Sequence, residues 1–142
     1  MKHPLHPALV HFPIATWSLA TAGDLAGFHW GEPAWRFAGI SIVVGTLTAL
    51  VAMAAGFIEL LKVDADSPAN RDVNRHMLLM MAAWCCYAAS LFLRLDGTTL
   101  TRPGVLGVAL SATGFVVMCF AGRMGGKLVY EHGVGVRRHR GS

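Results

Sequence analysis

Four of the seven histidines stand at the ends of long apolar segments, where an imidazole is an unusual side chain. They are His6, His11, His76 and His132. A histidine beside hydrocarbon costs free energy unless it is paired, hydrogen-bonded or bound to a metal. Because neutral imidazole is also the commonest side-chain metal ligand near neutral pH, four such residues on one membrane face indicate a binding site.

The elements that must position these histidines are membrane helices. The chain has 142 residues, of which 54% are hydrophobic and only 14% charged. Residues 37–58 and 103–122 carry no charge at all, and a membrane span needs roughly 20 apolar residues. We therefore predict an all-α integral membrane protein, a single domain over residues 1–142. Its four transmembrane helices form an up-down bundle, with spans at about 7–28, 36–61, 74–95 and 102–122.

Lysine and arginine set the orientation. Four spans place both termini on one side, together with nine basic residues: Lys2, Lys62, Arg71, Arg75, Arg123, Lys127, Arg137, Arg138 and Arg140. The other side has three, Arg36, Arg94 and Arg102. The excess predicts that both termini are cytoplasmic, with the basic tail against the headgroups of the lipid bilayer. We expect no nucleic-acid partner, because this topological bias explains most of the basic charge.

The segment after the fourth span, residues 123–142, is predicted to be cytoplasmic. Gly122, Gly125 and Gly126 favour a helix end, since glycine accepts left-handed conformations. Residues 128–136 are apolar, punctuated by glycine and strand-like in residue choice. We interpret them as a segment that folds back across the cytoplasmic mouth of the bundle and carries His132 there.

Two motifs resemble those of a known family. Residues 6–13 (HPALVHFP) and 125–136 (GGKLVYEHGVGV) look like the signatures of a bacterial family of small predicted membrane proteins, domain of unknown function twenty-two thirty-one. The resemblance covers nearly the whole chain and includes Gly56, Glu59 and His76, although relatives usually carry Asp where Glu59 stands. It implies a multi-pass protein of the bacterial inner membrane. Some relatives are fused to Rieske-type iron–sulfur domains, which implies membrane electron transfer and a Rieske-type or other redox partner.

The first hypothesis for the site is a b-type haem. Two imidazoles from different helices can hold a haem iron between them. His11 and His76 lie deepest in their helices and are predicted as the axial ligands. His6 and His132 would then bond to the propionates or to the ligands, or form a second ligand pair. Cations on the histidine side could bind the propionates, with Arg75 and Lys127 as the main candidates beside Lys62, Arg71 and Arg123.

Two other hypotheses remain open. His6, His11, His76, His132 and Glu59 could form a compact site for Zn²⁺, Cu²⁺ or non-haem iron, although no two histidines have the i, i+3 or i, i+4 spacing of helical metal sites. The same groups could instead form a proton or solute path, or simply cap helices in a scaffold. The sequence does not separate an electron carrier from an enzyme. A chain this rich in small residues could also form a homodimer.

Overall fold

The computed structural model describes residues 6–61 and 67–134. Its helices are α1 His6–Leu9, α2 His11–Trp30, α3 Glu32–Leu60, α4 Asn70–Phe92 and α5 Val105–Tyr130. Between α4 and α5, β1 Leu95–Asp96 pairs antiparallel with β2 Thr99–Leu100, with Leu95 opposite Leu100. The predicted all-α class is therefore confirmed, with this one short β-hairpin added. Lys62 and the basic tail at 137–140 lie outside the described residues.

The helices form two hairpins. Helix α2 packs mainly against α3, and α4 packs mainly against α5, while contacts between the hairpins are fewer. Two helices, α3 and α5, are long and apolar enough by length and composition to cross a membrane. At 1.5 Å per residue the 29 residues of α3 are about 43 Å long, which exceeds the roughly 30 Å of a hydrocarbon core.

A proline accounts for the division of the first helical segment into α1 and α2. Helix α1 is a single short turn, separated from α2 by Val10. Pro13 explains the break, because a proline without an N–H leaves the carbonyl of Leu9 without its usual donor. The first predicted span thus becomes a short helix followed by a long one, and this arrangement sets His6 and His11 on different elements.

The prediction that the last helix ends at Gly122–Gly126 is wrong. Helix α5 continues through these glycines to Tyr130, so residues 128–130 are helical rather than strand-like. The residue that ends the helix is Gly133, whose φ is +64° and whose N–H donates to the carbonyl of Val129 at 3.2 Å. This is a left-handed glycine cap. The earlier glycines allow close packing instead: a Cβ at Gly125 would lie 3.1 Å from the His76 ring.

The core joins the hairpins through one aromatic stack. Trp17 and Tyr87 lie parallel with ring centroids 4.6 Å apart, and both are fully buried. The Tyr87 hydroxyl donates to the carbonyl of Trp17 at 3.1 Å and lies 2.8 Å from the Thr21 hydroxyl, which is 3.0 Å from that of Ser111. This network satisfies polar groups that would otherwise be costly to bury.

A buried ion pair joins the hairpins at the end opposite the four histidines. The guanidinium of Arg94 donates two bonds to the Asp24 carboxylate, at 2.8 and 3.0 Å, and both side chains are buried. Arg94 also donates to the carbonyl and the hydroxyl of Ser90. Asp24 therefore pairs with Arg94, whereas Arg36 forms an exposed i, i+4 pair with Glu32.

Candidate functional site

A cavity of about 430 Å³ lies between the two hairpins near the end that carries His6 and His76. Helices α1 and α3 form one side, and α4 and α5 form the other. Among the described residues its wall is almost entirely apolar, with His6, His76 and Glu59 as the polar side chains. Three wall residues on α3 and α4, Phe57, Met77 and Met81, are also exposed on the outer surface. The cavity therefore opens sideways, between the hairpins, onto the apolar flank of the molecule.

His6 is held against α3 by three contacts. Its Nδ1 lies 2.8 Å from the carbonyl oxygen of Ala52, and its backbone N–H donates to Glu59 Oε1 at 3.2 Å. The ring lies directly over Gly56, where a Cβ would be only 2.8 Å from Nδ1. A glycine at 56 is thus required for this ring position, and Glu59 anchors the first turn of α1.

His76 is held against α5 in the same manner. Its Nδ1 lies 2.9 Å from the carbonyl oxygen of Ala121, and its ring packs on Gly125. His76 is half-buried in the second turn of α4. Each of the two histidines therefore rests on a glycine of a neighbouring helix and bonds to a backbone carbonyl of that helix.

These bonds determine the chemistry of both rings. A carbonyl oxygen only accepts hydrogen bonds, so Nδ1 of each histidine must carry the proton. In the neutral ring, Nε2 then carries a lone pair and no proton, which is the form in which imidazole binds a metal. Both histidines lie in the wall of one cavity, His6 from one hairpin and His76 from the other.

His11, predicted as an axial ligand, has a different environment. It is exposed, its Nδ1 lies 3.4 Å from the carbonyl of Ala8 in the preceding helix, and it is not part of the cavity wall. Val10 keeps helical dihedral angles, so the five-residue spacing places His11 on a different face from His6. The structure thus brings together His6 and His76 and does not bring His11 to them.

His132 belongs to an ion cluster at the ends of α4 and α5. The buried carboxylate of Asp72 accepts Lys127 Nζ at 2.8 Å and His132 Nε2 at 3.1 Å, with Arg75 at 3.9 Å. The bonds from Lys127 and then His132 hold the pKa of Asp72 below its usual value of 3.8. Lys127 and Arg75, predicted to bind propionates, therefore contact Asp72 instead, and neither lines the cavity.

The five groups of the compact metal hypothesis are spread over three places. Glu59 is bonded to the backbone of His6, His132 is bonded to Asp72, and His11 is exposed. Within residues 6–61 and 67–134, no three His, Cys, Asp or Glu side chains are grouped so that they could hold one metal ion. The structure gives this hypothesis no assembled ligand set.

Sequence reasoning overlooked the methionines of the cavity wall. Met53 on α3 and Met77, Met80 and Met81 on α4 all line it. Their spacing was visible in the sequence, because 76 and 80, and 77 and 81, are i, i+4 pairs on one helical face. The carbonyls of Ala52 and Ala121, by contrast, give no sign in the sequence that they bind a histidine.

The fold and the site together define a helical membrane protein with a histidine-flanked apolar cavity between two hairpins. Over residues 2–138 the sequence matches the family described as Predicted membrane protein (DUF2231), and the chain belongs to that family. The expected family resemblance is thus confirmed. No curated protein and no solved structure matches the chain.

Proposed function

We propose that this chain is a four-span protein of the bacterial inner membrane that holds a b-type haem between His6 and His76 and takes part in electron transfer. Membership of a family of predicted membrane proteins supports its location in a bilayer. The number of spans, the orientation and the cofactor are the proposal.

Exposed apolar side chains support all four spans. Large apolar residues face outward on every long helix, including α2 and α4, which have the lower hydropathy. Examples are Phe12, Leu19, Leu25 and Phe28 on α2, and Leu78, Met81 and Phe92 on α4. A soluble monomer rarely exposes an apolar surface of this extent. Helices α2 and α4 are less apolar in composition than α3 and α5, but they still present an apolar face that suits contact with lipid.

Reporter fusions test the orientation. Because nine basic residues accompany the termini and three lie on the other face, we expect a fluorescent protein fused to the C-terminus to be bright. Alkaline phosphatase fused at the loop near Gly97 should be active, since that loop would face the periplasm. The reverse pattern would contradict the predicted orientation. Alkaline phosphatase that is active at both positions would place Gly97 and the C-terminus on the same side and would contradict a span formed by α5.

The observation that carries the haem proposal is the matched pair of imidazoles. Both Nδ1 atoms are bonded to helix carbonyls, and both residues line one cavity. Bonds of this kind at the far nitrogen fix the tautomer and orientation of metal-bound histidines. Ligands from two different hairpins suit a flat cofactor that lies between them.

The cavity wall also fits a large flat occupant. Its volume of about 430 Å³ lies within the usual range for bound organic ligands, roughly 300–1,000 Å³. Its methionines adapt to irregular shapes and contact aromatic faces favourably. A bound haem would supply one-electron exchange at its iron, which is the chemistry expected beside a Rieske-type or other redox partner. The chain itself would provide the two ligands and exclude water.

An absorption spectrum tests the proposal and the ligand pair together. We expect the detergent-purified protein, grown with haem supplied, to show a Soret band that sharpens on reduction with dithionite, with separate α and β bands. His6→Ala and His76→Ala should each abolish the six-coordinate spectrum, because each removes one Nε2 ligand. His11→Ala is the matched control and should leave the spectrum unchanged.

Other spectra would change the ligand pair or refute the haem proposal. Loss of the spectrum in His11→Ala but not in His6→Ala would restore His11 and His76 as the axial pair. No Soret band in the wild-type protein would refute the haem proposal. A spectrum that is unchanged in all three variants would show that neither pair binds the iron.

A further inference from the structure

The cavity contains a set of sulfur atoms that the haem proposal does not use as ligands. Four of the chain's seven methionines line it, one on α3 and three on α4. On α4 they accompany a histidine, since His76, Met77, Met80 and Met81 stand within six consecutive residues. The pairs His76–Met80 and Met77–Met81 each have the i, i+4 spacing that places two side chains on one helical face.

The chemistry of these groups selects a soft metal ion. Thioether sulfur is a soft ligand that favours Cu(I), and imidazole nitrogen also binds copper. All of these ligands are neutral, so a monovalent ion in the cavity needs less charge compensation than a divalent one. Among residues 6–61 and 67–134, the one acidic side chain in the wall is Glu59, which is bonded to the backbone of His6. A hard divalent ion would demand more oxygen ligands than these residues supply there.

We propose that the haem-free cavity is a Cu(I) site, with His76, Met80 and the neighbouring Met77 or Met81 as ligands from α4 and with His6 as a ligand from the other hairpin. The site does not depend on haem binding. Because both occupants use Nε2 of His6 and His76, haem and Cu(I) exclude each other.

A packing role explains the methionines of the cavity wall less well than a role as ligands does. Methionine often fills irregular gaps in a core, but Met77 is 38% exposed and Met81 is 50% exposed on the flank of α4. Leucine would serve equally well toward lipid. Met80 also packs partly against the core cluster in which Met118 is buried with Trp17 and Tyr87. Met118 lies outside the cavity wall and is the natural control.

A chelator competition measures the binding. The protein is purified haem-free in detergent under anaerobic, reducing conditions and titrated with Cu(I) against bicinchoninate. The parent carries Cys85→Ala, Cys86→Ala and Cys119→Ala, because these three thiols are free and would bind Cu(I) themselves. We expect one Cu(I) per chain and, by X-ray absorption, both sulfur and nitrogen neighbours.

Substitutions at the methionines distinguish ligands from packing residues. Leucine keeps nearly the same volume as methionine, so the fold should survive the change. Met77→Leu, Met80→Leu and Met81→Leu combined should weaken Cu(I) binding by more than about 100-fold, beyond the effect of losing a merely supporting contact. Met118→Leu should leave it unchanged. Circular dichroism and elution volume check that each variant is folded.

Several results would overturn the copper site. Binding that vanishes in the cysteine-free parent would assign the copper to thiols. Equal affinity in the combined variant and in Met118→Leu would show that the cavity sulfurs are not ligands, and tighter binding of Zn²⁺ than of Cu(I) would show that the site is not soft. A Soret band without Cu(I) binding would refute this inference alone, whereas Cu(I) binding without a Soret band would refute only the haem proposal.

Discussion

The buried pair of Asp24 and Arg94 supports a quantitative prediction. Asp24→Asn would leave the guanidinium in place, 1% exposed and without a compensating charge. Removal of one partner of a buried ion pair typically costs about 3–5 kcal/mol of folding free energy, because the remaining charge stays buried. Arg94 keeps its bonds to Ser90, but those partners are neutral and cannot compensate the charge.

The matched control is the exposed pair of Glu32 and Arg36, whose side chains are 73% and 70% exposed. Glu32→Gln should cost less than about 1 kcal/mol, as is usual for surface pairs. The double variant Asp24→Leu with Arg94→Met should recover most of the loss, since an apolar pair of similar size removes both desolvation costs. This recovery distinguishes an unpaired charge from a simple packing defect.

Reversible unfolding in mixed detergent micelles, followed by tryptophan fluorescence and circular dichroism, gives the free energy of unfolding for each variant. If Asp24→Asn lowered the free energy of unfolding no more than Glu32→Gln does, Asp24 would not be compensating a buried charge on Arg94. The prediction would also fail if the double variant were no more stable than Asp24→Asn, because removal of the unpaired charge would then have recovered no stability.

Two further predictions concern the site and its support. Gly125→Ala should displace the His76 ring, because the new Cβ would lie 3.1 Å from it. Occupancy of the cavity should then fall, as measured by the Soret band or by Cu(I) competition. Gly122→Ala on the same helix is the control, since a Cβ there has no neighbour within 4 Å. Asp72 has a lowered pKa because Lys127 bonds to it, so its contribution to stability is complete above about pH 4 and is lost as pH falls through the folded-state pKa. Asp72→Asn should therefore show a smaller loss of stability below pH 4 than the wild type in acid unfolding; equal acid sensitivity would contradict this.

Much of the fold is visible in the sequence, because uncharged runs of 20 or more residues can hardly form anything but long apolar helices. The role of a glycine is less visible. Gly125 looks like a helix end when read alone, but it serves as a surface for the His76 ring, and Gly133 is the residue that ends α5. A glycine's role is decided by the neighbour that packs against it, and that neighbour is distant in sequence.

The sequence indicated that histidines line a site, but it did not indicate which two histidines lie there together. Histidines at helix ends indicated a binding site, and His76 is part of the cavity wall. The choice between His6 and His11 depends on which of them packs against α3, and that contact is between residues far apart in sequence. The bonds that orient both rings come from backbone carbonyls, and any residue could supply these.

The contact between the α2–α3 hairpin and the α4–α5 hairpin has a consequence for how the protein assembles. Most helix–helix contacts lie within one hairpin or the other, so in the proposed four-span topology each hairpin would enter the bilayer as a unit. The cavity, however, exists only after the two hairpins have docked, because His6 comes with one and His76 with the other. An occupant that binds only the docked form stabilises that form in proportion to its concentration and affinity. Supply of the ligand would then control how much of the chain is fully assembled, and the unloaded protein would be the form most open to membrane proteases.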